Sequence, residues 1–256
     1  MPLAMTDIIA AAAAASLIVL VVLLLAARKE VAPDTYSPRL AWMRAGIFFS
    51  ACFLISRMSG VLWSLLHEPW FQVQQLSDAT WWLATLLVSG YVAFAYLYFW
   101  PRGTTDHGRP LHPFHVVVFG VLWGLAQSQL VLSVYVLLQE WLGYRLLLVP
   151  VIVIVYSVFA ATWQSRYWDV YVSPAHNIRE WNARKVLVAH LPFLVLSLLH
   201  LAVFQNAVLF VVWQVVALTA STWVMRFPAP GDPAMPQHEA QGVALAELDK
   251  DRSPAE

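Results

Sequence analysis

Charge is scarce in this sequence. Asp, Glu, Lys and Arg make up 12% of its 256 residues, about half the share that a soluble domain carries. With 60% of the residues hydrophobic and a mean hydropathy of +0.65, too little polar surface is left to dissolve a globule. Formal net charge is zero, so no basic excess is present to meet the phosphates of a nucleic acid. Cysteine is nearly absent. Cys52 stands alone in an apolar run, whereas disulfide scaffolds, thiol relays and cysteine metal sites need a second one. Alone, it reads as a small hydrophobe.

Other absences narrow the chemistry. Lys29, Lys185 and Lys250 all lie at or beyond the ends of apolar runs, which leaves no intramembrane amine for a Schiff base. No Asp or Glu falls in the middle of an apolar run, which argues against a proton-coupled pump. The clustered histidine boxes of membrane di-iron desaturases are missing, as are an aspartate-rich diphosphate motif, a Gly-x-Ser-x-Gly elbow and a phosphate loop. No repeat of fixed period is seen, which weakens an inverted-repeat transporter reading.

What the sequence does hold is a series of apolar runs. A helix needs about 20 apolar residues to cross roughly 30 Å of hydrocarbon. Runs at 8–27, 42–66, 80–100, 114–139, 146–163, 186–204 and 207–225 meet or approach that length. The first is preceded only by Asp7 and followed by Arg28 and Lys29, the pattern of a retained anchor and not of a cleaved signal. The last two are separated by Gln205-Asn206 alone and predict a tight hairpin; six spans result if that hairpin is re-entrant.

Basic residues alternate with the loops. Arg28, Lys29 and Arg39 lie in the first, Arg102 and Arg109 in the third, and Arg166, Arg179, Arg184 and Lys185 in the fifth; Arg226 opens the tail. The intervening loops hold only Arg145. Cytoplasmic loops carry the basic excess. The expected architecture is therefore an all-α, multi-pass bundle of seven spans in a cell membrane, N-terminus outside and C-terminus in the cytoplasm. Trp42, Trp70, Trp81, Trp82, Trp100, Trp141, Trp163 and Trp223 stand near the expected helix ends, where interface belts form. The segment 227–256 has five prolines, six acidic and two basic residues and reads as a disordered cytoplasmic tail after a membrane domain of 1–226.

Polar residues inside the spans are the candidate site. Arg57 falls near the middle of the second run, and Ser50, Arg57, Ser64 and Glu68 share one helical face, expected to look into the bundle. An intramembrane guanidinium suits an anionic ligand group; the alternative is a structural Arg bonded by Gln127 or Gln129. Gly120, Gly124 and Ser128 form a small-residue face for close helix approach, flanked by Gln127 and Gln129, with Gln214 comparable in the last run. Each amide serves either a substrate or a neighbouring helix. His190, Ser197 and His200 share a face of the sixth run. His190 with His115, and His200 with His67, match in depth and offer ligands for a haem, or else interhelical hydrogen bonds.

The fifth loop, 163–185, is the most polar and aromatic stretch outside the tail. Ser173-Pro174 predicts a helix start, which sets His176 and Glu180 four apart on one face after Asp169, and Pro192 predicts a kink beyond. Asp169, His176, Glu180 and His190 are the candidate acid–base groups; Arg57, Gln127, Gln129, Ser197 and His200 are the candidate substrate contacts. The spacing matches no metal motif. These features point to a membrane-embedded enzyme or binding protein for a hydrophobic, lipid-like or isoprenoid-like molecule. The alternative is a haem- or quinone-associated or assembly subunit of a membrane complex. No cofactor, substrate or oligomeric state is specified.

Overall fold

The computed structural model describes residues 35–36, 38–104, 109–159, 183–233 and 235–236. The expected first span at 8–27, the helix start at Ser173-Pro174, and the candidates Asp169, His176 and Glu180 lie outside the described residues.

The described chain is helical apart from one antiparallel pairing of Thr35–Tyr36 with Met235–Pro236. Helix α1 runs Pro38–Met58, α2 Val61–His67, α3 Val73–Leu76 and α4 Ala79–Val92. From α4 the chain continues through a wide π-helical stretch, Ala93–Phe99, and a tight turn, Trp100–Gly103. Helix α5 spans Pro113–Leu142 and α6 Arg145–Phe159. A second π-helical stretch, Val186–His190, leads into α7, Leu191–Phe204, and α8 is Ala207–Val224.

Four helices are long and apolar enough to cross a membrane: Ala79–Arg102, Pro113–Leu142, Val186–Phe204 and Ala207–Val224. A fifth crossing is added if Ala41–Met58 and Val61–His67, bent by 78°, count as one span. Arg145–Ser157 is a shorter apolar helix. The chain is thus a helical protein with the make-up of a multi-pass membrane protein.

The bend corrects the expected straight run at 42–66. Helix α1 ends at Met58 because Gly60 takes a left-handed φ of 80°, a conformation glycine adopts without a side-chain clash. Beginning at Pro38, α1 has 21 residues and is about 31 Å long at 1.5 Å per residue. Arg57 therefore sits in the last turn of α1. A cation there is favoured by the helix dipole.

Helix α5 is the most buried of the long helices and packs against α1, α6 and α8. Lipid offers no hydrophobic drive between helices, so close fit and hydrogen bonds hold them. At Gly124 a Cβ would lie 2.4 Å from Val215 Cα, and at Gly120 2.5 Å from Thr219 Cα. The small-residue face expected from the sequence is the α5–α8 seam. Ala189 just before α7 and Phe193 at its start share a cluster with Ala217 of α8, and His200 near the end of α7 meets Trp213 near the start of α8. The two helices therefore run antiparallel, with the turn at the expected amide pair: Gln205 has φ 56° and the Asn206 side chain caps α8 by accepting from Leu209 N at 3.0 Å.

Side-chain bonds gather the helix ends into two groups. At one end, rich in Arg and Lys, Lys185 Nζ donates to Thr104 Oγ1 (2.8 Å), Arg226 Nη1 to the Arg109 carbonyl (2.9 Å) and Trp42 Nε1 to the Pro228 carbonyl (2.9 Å). At the other, rich in amides, Gln75 Nε2 donates to the Phe204 carbonyl (2.7 Å) and Asn206 Nδ2 to the Trp70 carbonyl (3.4 Å). Phe227 is buried and stacks on Phe119 with centroids 3.6 Å apart, so the bundle holds the chain to at least Ala229.

Candidate functional site

The structure separates the sequence candidates into layers along the bundle. Arg57 is exposed, together with Ser50 and Glu68. That face looks outward, one helical step away from the expected orientation, and the buried residue is its neighbour Ser56. Ser56 Oγ donates to Gln129 Oε1, and one turn on Ser59 Oγ donates to Ser133 Oγ at 2.9 Å, stitching α1 to α5. Gln127 Nε2 donates to Gln214 Oε1 at 3.4 Å, stitching α5 to α8. Ser197 Oγ returns to the Leu194 carbonyl of its own helix at 3.1 Å. The structure therefore gives Gln127, Gln129 and Ser197 partners within the protein and brings none of them to Arg57.

His190, just before α7, and His200 within it anchor the remaining layers. Toward the basic end, His190 Nδ1 lies 3.1 Å from the Tyr96 hydroxyl, and its ring meets Trp100 edge-on at 4.8 Å. Lys185 Nζ is 4.4 Å from the Trp100 ring centroid. Both π-helical stretches contribute here, and each leads to a proline, Pro101 or Pro192. Pro192 has no N–H for the Val188 carbonyl four residues back, and the Tyr91 hydroxyl donates to that carbonyl instead. The kink expected at Pro192 is thus a widened turn whose freed carbonyl is satisfied from α4. Such turns often mark functional positions.

Toward the amide end, His200 is 3% exposed. Its Nε2 lies 3.0 Å from Thr85 Oγ1; which atom donates depends on the tautomer. Trp213 meets the ring edge-on at 4.9 Å and sends its own Nε1–H to Ser89 Oγ at 3.0 Å. Trp81, 2% exposed, lies with its ring 6.5 Å from the imidazole. Among the described residues, His200 Nδ1 and Trp81 Nε1 have no hydrogen-bond partner. A buried polar group left so costs about 1–3 kcal/mol. This layer therefore holds one fixed donor and one tautomer-dependent donor or acceptor, both unspent, between apolar walls.

Sequence reasoning placed Trp81 and Trp100 in an interface belt, yet both are buried. Trp70, Trp82, Trp141 and Trp223 are exposed as a belt requires. The missed signal was the polar residue one turn away in each case, Thr85 after Trp81 and Thr104 after Trp100. The depth-matched histidine pairs do not share ring contacts. His115 packs against Trp42 and His112, and His67 stacks on Trp63. Among the described residues no three His, Cys, Asp or Glu side chains are grouped closely enough to hold a metal ion.

At the amide end a polar cleft of about 100 Å³ is lined by Ser64, Glu68, Gln72, Gln75, Gln205 and Asn206. Its amides are largely spent within the protein: Asn206 Nδ2 lies 3.3 Å from Gln75 Oε1, Gln75 Nε2 donates to the Phe204 carbonyl, and the Gln205 amide, oriented with its oxygen toward the Arg145 guanidinium, accepts from it. This cleft closes the end of the bundle and ties the hairpin to α2, α3 and α6. No protein-family model, curated protein or solved structure matches the chain.

Proposed function

We propose that this protein binds a hydrophobic molecule with a carbonyl or hydroxyl end inside a bundle of seven spans in the cell membrane, N-terminus outside and C-terminus in the cytoplasm. The observation that carries the binding reading is the pair of unpartnered buried nitrogens, His200 Nδ1 and Trp81 Nε1, in a layer whose other polar groups, Thr85, Ser89 and the Trp213 N–H, are bonded within the protein. An oxygen atom at the end of a lipid-like or isoprenoid-like molecule suits the Trp81 N–H, and a hydroxyl suits His200 Nδ1 in either tautomer. The alternation of basic and amide-rich ends supports the topology, because the basic end belongs in the cytoplasm. The enzyme version of this reading assigns proton transfer to Asp169, His176 and Glu180 at the cytoplasmic surface, with His190 beside them. Arg57, lying at the far end of α1, would then meet a ligand only at the opposite membrane surface.

The test is extraction. Full-length protein is purified from its membrane in mild detergent, and its bound lipophilic molecules are identified by mass spectrometry. A molecule retained by the wild type and lost from the Trp81→Phe/His200→Leu variant supports the reading. Equal extracts from both refute the site. Topology is read separately from the labelling of a single cysteine introduced as Gln205→Cys in a Cys52→Ala background, which should react with an impermeant reagent from outside.

A further inference from the structure

The cations of the basic end are of two kinds. Arg44, Arg109 and Lys185 are buried and built into the bundle. Arg102 and Arg184 are exposed and are held against the outer face of the π-helical stretch Ala93–Phe99. The Arg102 Cζ lies 3.4 Å from the Tyr98 ring centroid, and the Arg184 Cζ lies 5.5 Å from that of Phe99. Phe94 joins the two rings, stacking on Tyr98 with centroids 5.9 Å apart and on Phe99 at 6.2 Å. Three rings thus form one strip with a guanidinium at either outer ring.

The strip faces away from the core. Phe94, Tyr98, Leu97 and, across on the turn before α7, Leu187 are exposed large apolar side chains. In a membrane that surface lies in acyl chains, with the two guanidiniums at its polar edge. Among the described residues no carboxylate pairs with Arg102 or Arg184. The described acidic residues Glu68, Asp78 and Glu140 belong to the loops and helix ends at the amide end, and Asp232 faces His112 at 3.1 Å. A guanidinium laid on a ring keeps its in-plane N–H groups available, in the fork that fits two oxygens of a phosphate.

We propose that this surface, formed by the π-helical stretches Ala93–Phe99 and Val186–His190 and flanked by Arg102 and Arg184, is a binding site for an anionic phospholipid. Arg102 and Arg184 hold the phosphodiester, and the acyl chains lie along Phe94, Leu97, Tyr98 and Leu187. Basic pockets between helices at the cytoplasmic surface are where anionic headgroups are held. The continuity of the cations with an apolar strip selects a lipid over a free phosphate, which would have no use for the rings. The site is independent of the His200 layer.

The experiment is native mass spectrometry of full-length protein in detergent, titrated with phosphatidylglycerol and phosphatidylcholine of equal chain length. The wild type should retain phosphatidylglycerol at least tenfold over phosphatidylcholine. Arg102→Gln/Arg184→Gln should abolish that preference, and Arg102→Lys/Arg184→Lys, which keeps the charge and the fold, should reduce it several-fold. Arg39→Gln, at an exposed arginine of the same end, should leave it intact. Equal retention of the two lipids by the wild type overturns the proposal. So does a Lys variant that keeps the full preference, an equal loss on Arg39→Gln, or displacement of the lipid by millimolar inorganic phosphate.

Discussion

Helices α5 and α8 meet backbone to backbone at Gly124, and Gly124→Ala should pry them apart. The added methyl carbon would lie 2.4 Å from Val215 Cα, 2.9 Å from Val215 N and 3.0 Å from the Gln214 carbonyl oxygen. Non-bonded carbons rest at about 3.5–4.0 Å, so the seam must open by roughly 1 Å, and backbone atoms cannot rotate out of the way. The Gln127–Gln214 bond, at 3.4 Å, is already long and crosses the same seam, so opening breaks it. Overpacking costs about 1–3 kcal/mol, and the lost interhelical bond adds about 0.6 kcal/mol. The better helix propensity of Ala returns up to about 1 kcal/mol. The net loss is roughly 1–3 kcal/mol, and at about 2–4 °C per kcal/mol for a chain of this size the Tm should fall by about 5 °C. Thermal unfolding in mild detergent, followed by size-exclusion recovery, measures it. Gly46→Ala and Gly90→Ala are the controls. Nothing lies within 4 Å of a Cβ at either, so only the propensity gain remains and Tm should hold or rise. A Gly124→Ala protein as stable as Gly90→Ala would refute the close-packed seam.

Three further outcomes are expected. Tyr91→Phe strips the Val188 carbonyl of its donor and should cost about 1–3 kcal/mol; Pro192→Ala restores a helical N–H to that carbonyl, so the double variant should recover stability, and additive losses would sink the account. A double-mutant cycle with Ser56→Ala and Gln129→Leu should show a coupling of about 0.6–1.7 kcal/mol in unfolding, and a zero coupling would mean that α1 and α5 are not joined there. Gly60→Ala places a side chain at φ 80° with open space around it, so the loss of about 1–2 kcal/mol comes from backbone strain alone; an unchanged Tm would show that α1 does not break at that residue.

Much of the candidate site was legible as residue types and little of it as arrangement. Run length and composition identify His190 and His200 as polar groups on an apolar helix, and spacing puts them on one face. The partners are not in that pattern. Thr85 comes from α4 and Tyr96 from the π-helical stretch that follows it, more than 90 residues earlier, and neither interrupts a run enough to be noticed. The run 42–66 does not show that α1 begins at Pro38 and ends beside Gly60, nor that Arg57 is exposed while Ser56 is buried. A rotation of one position about the helix axis exchanges Arg57 for Ser56 on the inner face.

By itself the sequence determined that the chain is helical and apolar enough for a membrane, that a hairpin turns at Gln205-Asn206, and that Gly120 and Gly124 form a contact face. These follow from local terms: the cost of unpaired backbone in lipid, the capping of α8 by Asn206, and the absence of a Cβ. Only the tertiary structure decided which helix fills the glycine face, which carbonyl Pro192 releases and which hydroxyl takes it, and that Trp81 and His200 lie in one layer with unspent nitrogens. Those outcomes depend on the rotation of each helix about its axis. That rotation is set by packing among several helices at once, and no single apolar run carries it, because lipid-facing and core-facing surfaces here are equally apolar.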